Sequence, residues 1–444
     1  MQLFGYQITR GMLIMTGAIV VIILLLALIF FGIIPGSQPS GSKQVIIEFW
    51  DLYDDSSAWQ TIFNAFKKEN SKVSFNYVRK NSKTYEKDLL EALALGRSPD
   101  IIMFHSSWLP KHGNKISPLP QTVMGLKEFQ DTFPDIATVD FVSGNQIYAL
   151  PVWIDVLTMV YNKDLFNTAG IALPPKNWDE FIKVVLKLSK KAKSGNLIKS
   201  GVAMGTADNV NNSSDILSLL MLQGGASMIS NDGREAAFDH SIVLPDGSAY
   251  NPGESALRFY TDFSKLKSDV YSWNDEFPNS FDAFISGQTA IIFDYAVNIN
   301  RIKERSPNLR FGIAPAPQLS GVAKNVHYGD FWGYSVPIAS KNSEIAWKFL
   351  KFSTTRDINK YFSETTLRPA ARRDVLSEEE TSPDLGIFTK TVLSATNWYR
   401  VDPDATNDIF KNMINSVVLS GAMPSKAISD AAARVTALMR RVSE

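Results

Sequence analysis

Residues 146–181 read QIYALPVWIDVLTMVYNKDLFNTAGIALPPKNWDEF, and no other stretch of the chain carries as much structural information. A short predicted strand, residues 146–149, leads into a polar and aromatic bend at residues 153–155. A second predicted strand, residues 157–161, is apolar and rich in the residue types that favour strands. The pattern therefore predicts two strands joined by an acidic, aromatic bend.

A helix is predicted after this second strand. Asn177 and Glu180 have the spacing of a capping box, in which two side chains satisfy free amide groups at a helix start. Apolar residues then recur at helical spacing, at positions 181, 184, 185 and 188.

The preceding part of the chain alternates strands and helices. Apolar runs predict strands at residues 45–50, 73–78 and 101–104. Helical spacing predicts a helix around Trp59 and another from Tyr85 to Leu95, which Gly96 ends. This alternation favours an α/β fold with parallel strands and crossover helices.

Composition narrows the functional class. The 444 residues include 45 Lys plus Arg and 45 Asp plus Glu, so the net charge is zero. A nucleic-acid-binding protein usually has a basic excess, and we therefore expect no nucleic-acid partner. The chain has no cysteine, which excludes disulfides, thiolate nucleophiles and a lipid anchor on cysteine.

The N-terminal region contains a long apolar run. Residues 12–34 carry no charge, and 23 residues are enough to cross the hydrocarbon core of a bilayer. A cleavable signal has a shorter apolar core and an Ala-x-Ala exit, which is absent here. We predict an uncleaved, single-pass anchor in the cytoplasmic membrane, with a cytoplasmic tail at residues 1–11 and a linker at residues 35–42. A cleaved signal is the alternative.

Several motifs together resemble the extracellular solute-binding proteins of ABC importers, the maltose-binding-like family. The stretch quoted above contains Y-x-L-P, an acidic residue, YNKDLF, AGI, PP and W-D-E-F in the family's order. Further matches are GRSPDIIM at residues 96–103, F-x-x-G-Q-x-A-I at 284–291, FGIAPAP at 311–317 and WGYSVPIASKNSEIAWKFL at 332–350. The resemblance covers nearly everything from Val45 onward.

The resemblance implies a type II periplasmic-binding-protein-like fold with two discontinuous α/β lobes. It places lobe 1 at residues 43–154 and 288–336 and lobe 2 at residues 155–287 and 337–444. The chain would cross between lobes near Asp155, Gly287 and Pro337. The resemblance further implies a monomer that holds a solute, by expectation a sugar or oligosaccharide, in the inter-lobe cleft and passes it to ABC permease subunits. The bilayer anchor departs from the usual family pattern.

Four tryptophans are candidate ligand-binding residues. Trp50, Trp153 and Trp332 lie at strand ends or crossings, and Trp398 lies in a predicted loop. An indole ring there can stack on the apolar face of a sugar ring. The alternative for each is an aromatic residue of the lobe surface that binds nothing.

Five polar residues complete the predicted ligand site. Asp155 matches the acidic ligand residue at the family's first crossing, with a hinge carboxylate that caps backbone amides as the alternative. His105 and Ser106 follow a predicted strand at the position where relatives contact sugar, and Tyr295 ends another. Arg368 lies in a loop that reaches the cleft in relatives, and a structural salt bridge is its alternative.

Enzyme signatures are mostly absent from the sequence; Ser264-x-x-Lys267 matches a serine-hydrolase spacing, but it lies on the polar face of a predicted helix and we attribute it to chance. The chain contains no G-x-S-x-G, H-E-x-x-H or Walker motif, and we predict no catalytic residue, metal or cofactor. The acidic run at residues 402–408 lacks the glycine and closing glutamate of a calcium loop, so we interpret it as the cap of a helix from Asn407. A membrane-anchored sensor and a glycoside hydrolase with two cleft carboxylates remain the alternatives.

Overall fold

The computed structural model describes residues 2–3, 6–7, 10–30, 44–53, 55–322 and 324–443. The chain forms two compact units: Met1–Ile46 with Lys67–Ser74, and Ile47–Phe66 with Phe75–Glu444.

The N-terminal part of the first unit contains two short strands and a helix among its described residues. Strands β1, Gln2–Leu3, and β2, Tyr6–Gln7, pair antiparallel, and helix α1 covers Arg10–Phe30. Across the described residues, no helix qualifies as long and apolar enough to cross a membrane, so the anchor predicted at residues 12–34 is not confirmed. The predicted linker, residues 35–42, lies outside the described residues, and the predicted tail, residues 1–11, is described only in part.

The remaining strands are short, and the two largest sheets, of four and three strands, lie in the second unit. They are β3 Val45–Asp51, β4 Val73–Arg79, β5 Ile102–His105, β6 Ile116–Ser117, β7 Val142–Ser143, β8 Gln146–Ile147, β9 Leu150–Pro151, β10 Thr158–Asn162, β11 Lys190–Lys191, β12 Leu197–Lys199, β13 Ile242–Val243, β14 Ala249–Tyr250, β15 Ile291–Asp294, β16 Phe311–Pro315, β17 His327–Tyr328, β18 Trp332–Pro337 and β19 Ala395–Thr396.

Helices cover the sheets. They are α2 Ser56–Glu69, α3 Tyr85–Ala94, α4 Leu109–His112, α5 Leu126–Thr132, α6 Asp135–Phe141, α7 Lys163–Thr168, α8 Trp178–Leu188, α9 Ser213–Gln223, α10 Pro252–Asp262, α11 Ser280–Ile285, α12 Ile299–Arg305, α13 Ser343–Ser353, α14 Arg356–Thr366, α15 Arg373–Glu379, α16 Gly386–Val392, α17 Pro403–Val418 and α18 Pro424–Ser443.

Lobe 1 of the second unit is built around strand β18. This strand pairs antiparallel with β5, β6 and β9, and Phe49 forms a parallel bridge to Ile101 beside them. The core is aromatic: the ring of Phe49 lies 4.7 Å from Trp59 and 5.1 Å from Tyr334. Helix α13 packs on β18 from the C-terminal part of the chain.

Lobe 2 is built around strand β10, which lies between β15 and β16 and pairs antiparallel with both. Its buried apolar core is continuous and draws on residues 157–328 and 388–439. Helix α8 begins as predicted, because Asn177 Oδ1 accepts the amide of Glu180 at 2.9 Å. Helix α17 begins at Pro403, earlier than the predicted Asn407, and Asp402 caps it by accepting the Ala405 amide at 3.2 Å.

The strand pairing differs from the predicted lobe assignment in two segments. Strands β15 and β16 fall in the segment 288–336 assigned to lobe 1, yet they pair with β10 in lobe 2. Residues 337–379 were assigned to lobe 2, yet α13 packs on β18 and Ala370 bridges Trp153 in lobe 1.

From this pairing we infer that the chain crosses near Asp155, returns near Gly329, and crosses again between α15 and α16. Strand motifs locate strands in the sequence but do not indicate which of two sheets each strand joins.

Candidate functional site in the cleft between the lobes

A cavity of about 690 Å³ lies between the lobes, beyond the carboxyl end of β5. Clefts at strand ends are the usual ligand sites of open α/β sheets. The lining residues from lobe 1 are Ser106, Ser107, Leu109, Pro110, Val139, Asp140, Val142 and Ser143, and those from lobe 2 are Leu222, Ser227, Met228, Ile229, Asn397, Trp398, Tyr399 and Arg400.

A network of charged side chains adjoins the cavity through Arg400, the one network residue among those that line it. Arg400 Nη2 donates to Asp330 Oδ1 at 2.8 Å, and the other Asp330 oxygen lies 3.2 Å from His105 Nε2. Arg400 Nη1 lies 3.9 Å from Asp215 Oδ1, and the Tyr295 hydroxyl donates to Asp215 Oδ2 at 2.9 Å. His105 ends β5 in lobe 1, whereas Asp215 lies on α9 in lobe 2, so the network connects both lobes.

Burial and neighbouring charges shift the pKa values of three groups in this network. Burial opposes ionisation of Asp330, but His105 and Arg400 outweigh it and hold the pKa of its carboxyl well below the usual range. Burial raises the pKa of Asp215 to about 6, with the Asp330 charge adding to the effect and Arg400 opposing it. Burial alone would lower the pKa of Arg400, but the neighbouring Tyr328, Asp330 and Asp215 raise it, so the guanidinium stays charged.

Two buried polar atoms of the cavity wall have no protein partner. Arg400 Nε and Ser106 Oγ make no hydrogen bond within the part of the chain that the structure describes. The exposed fractions of these residues are only 8% and 2%. Buried polar atoms are rarely left unpaired, so these two atoms, one on each lobe, are candidates for hydrogen bonds to a water or a ligand.

A hydrogen bond between two lining residues connects the lobes at the cavity, and an exposed aromatic ring lines it as well. Asn397 Nδ2 donates to Asp140 Oδ2 at 2.7 Å and so connects lobe 2 to lobe 1. Burial raises the pKa of Asp140 to about 8, so its carboxyl is mainly protonated at neutral pH. Tyr399 is 42% exposed, and its ring is accessible to a ligand.

A smaller cavity of about 230 Å³ lies on the other side of Arg400. Its lining is polar and consists of His105, Asn211, Asn212, Ser214, Asp215, Asp330, Arg400, Pro403, Asp404 and Asn407. Over the described residues, no group of three or more His, Cys, Asp or Glu side chains is arranged to hold a metal ion. Both cavities share Arg400 and together form the candidate site.

Several of the sequence-predicted site residues lie at these cavities. Ser106 and Trp398 line the larger cavity and His105 the smaller one, while Tyr295 joins the network through Asp215. Trp332 lies one layer behind, with its ring edge-on to His105 at 4.7 Å.

Asp155 is a hinge carboxylate that accepts backbone amides, which was the alternative to its ligand-binding role. Its carboxylate accepts the amides of Val156 and Ala296 at 2.9 Å and of Val297 at 3.0 Å. Burial raises the pKa of Asp155 to about 7, although these amides oppose the shift. The carboxylate thus ties the first crossing to the start of a short helical turn in lobe 2, and it lines neither cavity.

The other predicted residues contact protein groups and line neither cavity. Arg368 forms a two-point ion pair with Asp55, at 2.6 and 3.2 Å, which was its alternative interpretation. The Arg368 guanidinium also lies 4.6 Å from the ring centre of Trp153, which is 1% exposed.

Trp50 is covered in the same way. Lys80 Nζ lies 4.0 Å from its ring centre, and its indole nitrogen donates to Glu48 at 2.6 Å. Position at a strand end does not indicate which face of the sheet a side chain occupies, and both Trp50 and Trp153 contact protein groups outside the two cavities.

Sequence reasoning missed Asp140, Asp215, Asp330 and Arg400. Arg400 follows Trp398 by two residues, and that proximity was the one available signal for it. The other three lie in different segments, and only the fold brings them together.

Comparison with known proteins agrees with this geometry. Residues 50–360 match the family described as bacterial extracellular solute-binding protein. A Brucella abortus protein named only as a binding protein is 25% identical over 396 residues, covering 86% of this chain and 90% of that protein. The multiple sugar-binding protein of Streptococcus mutans is 23% identical over 395 residues, covering 87% and 90%.

A solved structure shows the same fold. The sugar-binding protein MalE from Xanthomonas citri superposes with a TM-score of 0.73 at 17% identity, covering 89% of this chain and 98% of that chain. The family match extends over more than half of the sequence, so this chain belongs to the bacterial extracellular solute-binding proteins.

Proposed function

We propose that this protein captures a sugar or oligosaccharide in the cleft between its lobes and delivers it to the permease of an ABC importer. The observation that carries the proposal is the pair of unpartnered buried atoms, Ser106 Oγ and Arg400 Nε, on opposite walls of the 690 Å³ cavity. Both are suited to a ligand with several hydroxyl groups, since each hydroxyl donates and accepts.

The other walls suit a carbohydrate as well. The exposed ring of Tyr399 offers a face for the apolar side of a sugar ring. Asp140 and Asn397 place a carboxyl and an amide at the floor, where they bind hydroxyl groups in addition to each other. The naming of the Streptococcus mutans relative as a sugar-binding protein supports the same ligand class.

Lobe closure is the mechanism we propose for capture. Three segments connect the lobes, and hinge motions are absorbed by a few residues in such segments. Lys111 of α4 in lobe 1 lies 2.9 Å from Asp402 at the start of α17 in lobe 2. This ion pair forms at the rim of the cleft and favours the closed arrangement.

The location follows from the family and from the N-terminal sequence. Family membership supports a body on the extracytoplasmic side. We keep two earlier predictions as proposals: residues 12–34 remain on the mature protein as a single-pass anchor, and the protein is a monomer. Mass spectrometry of protein extracted from membranes tests the anchor, and a mature N-terminus between Gly32 and Lys43 would contradict it.

A ligand screen tests the proposed function. Thermal unfolding is measured with sugars, polyols, amino acids and peptides, and a ligand at 100 times its Kd should stabilise the native state by about 2.7 kcal/mol. Labelled ligand recovered unchanged after incubation supports a binding protein, whereas cleaved ligand would support a glycoside hydrolase. Ser106→Ala should reduce the shift, and Ser248→Ala on the exposed surface serves as the control.

A further inference from the structure

We propose that the cleft selects uncharged solutes and rejects phosphorylated or carboxylated ones, because Arg400 acts as a single hydrogen-bond donor and not as an anion clamp. This inference rests on the proposed function and names the ligand class of the same site.

The hydrogen bonds of Arg400 leave little of its guanidinium available to an anion. Arginine binds a carboxylate or phosphate best through two parallel N–H bonds. Here Nη2 is bonded to Asp330 at 2.8 Å and Nη1 faces Asp215 at 3.9 Å. Both Nη atoms thus face carboxylates, whereas Nε has no partner among the described residues. One N–H group is enough for a hydroxyl oxygen but does not provide the two-point contact that an anion favours.

The side chains around Arg400 are mainly acidic. Asp215, Asp330 and Asp404 line the smaller cavity together with this single guanidinium, so carboxylates outnumber it. No lysine is found among the described residues that line either cavity. Lys111 lies nearby at the rim, but Glu86 and Asp402 already neutralise it, at 2.7 and 2.9 Å.

Burial of Arg400 and Asp330 strengthens the electrostatic effect of their charges on a ligand. Arg400 is 8% exposed, and the Asp330 side chain is about one quarter exposed. Charges in such positions are poorly screened by salt. An anionic ligand therefore meets net repulsion from the carboxylates and loses its hydration shell, while a neutral ligand loses only hydroxyl hydration, which Ser106 and Arg400 replace.

The test uses ligand pairs in which one member is neutral and the other carries a carboxylate or a phosphate. Calorimetry at constant ionic strength compares maltose with maltobionate, tagatose with tagatose 6-phosphate, and erythritol with erythritol 4-phosphate. In each pair whose neutral member binds, the anionic member should bind at least about tenfold more weakly. An anionic member that binds as tightly as its neutral partner, or more tightly, would overturn the inference while leaving solute binding intact.

A charge variant assigns the discrimination to the site. Asp215→Asn removes one carboxylate beside Arg400 and should reduce the ratio of the two affinities by about threefold or more. Asp430→Asn makes the same change in net charge on the exposed surface of α18 and should leave the ratio unchanged. Equal ratios for Asp215→Asn and the native protein would refute the role of these carboxylates. If no member of any pair binds, the proposed function itself fails, and the inference fails with it.

Discussion

Asp402→Asn should shift the protein from closed toward open and weaken ligand binding. Asp402 is the lobe 2 partner of Lys111, and their charged atoms lie 2.9 Å apart. Lys111 lowers the pKa of Asp402 below its usual range despite the opposing effect of burial. Asparagine is also a good helix N-cap, so this substitution keeps the cap of α17 and removes only the charge.

The structure sets the size of the effect. The side chains of Lys111 and Asp402 are 25% and 27% exposed, so the pair lies at the upper end of the range for surface ion pairs, about 1 kcal/mol. That energy corresponds to a factor of about five in the ratio of closed to open protein. Since ligand binds the closed form, the apparent Kd should rise by up to about fivefold.

Calorimetry and small-angle scattering measure the two consequences. The ligand-free variant should have a larger radius of gyration than the native protein, and the two should agree once ligand is saturating. Glu86→Gln is the matched control, because Glu86 contacts the same lysine at 2.7 Å but lies in lobe 1. Equal affinity of Asp402→Asn and native protein, or equal weakening by Glu86→Gln, would refute the role of this inter-lobe ion pair.

Three further predictions address the hinge, pH dependence and the aromatic wall. Asp155→Ala leaves three hinge amides without an acceptor and should lower the free energy of unfolding in urea by about 3 kcal/mol; lost binding at unchanged stability would contradict this hinge role. Burial lowers the pKa of His327 to about 4, below the unfolded value of about 6.5, so its stabilising contribution is complete above pH 6.5 and is lost as the pH falls toward 4. The native protein should therefore lose about 3 kcal/mol more than His327→Gln between pH 7 and pH 4, and parallel stability curves would refute this. Tyr399→Ala should weaken binding of a sugar about tenfold through lost ring contact, and calorimetry showing equal affinity would exclude stacking there.

Local sequence patterns predicted local structure well. The spacing of Asn177 and Glu180 predicted the start of α8, and the predicted end of a helix at Gly96 agrees with α3 ending at Ala94. Capping and helical periodicity depend on residues a few positions apart, so the sequence contains the whole pattern. The family resemblance, which rests on longer motifs, predicted the fold that the comparisons confirm.

The cleft depends on contacts between distant segments, which no local pattern contains. The strand-end rule points to His105 and Ser106, which line the two cavities because β5 ends there, and their contact with a ligand stays a prediction. The same rule also points to Trp50 and Trp153, whose rings are covered by Lys80 and Arg368 and line neither cavity.

Arg400 lies on a segment that follows the third crossing, and Asp330 lies at the second. The two residues are 70 positions apart in the sequence, so their contact can be predicted only if the location of both crossings is known.

A structure of the protein bound to the sugar that gives the largest thermal shift tests the central claim most directly. We predict that the sugar lies in the cavity between Ser106 and Tyr399, with one hydroxyl bonded to Ser106 Oγ and another oxygen bonded to Arg400 Nε. The two lobes should both contact it, and the Arg400 ion pair with Asp330 should remain. A sugar bound outside this cavity, or bound to one lobe while both atoms stay unpaired, would contradict the account.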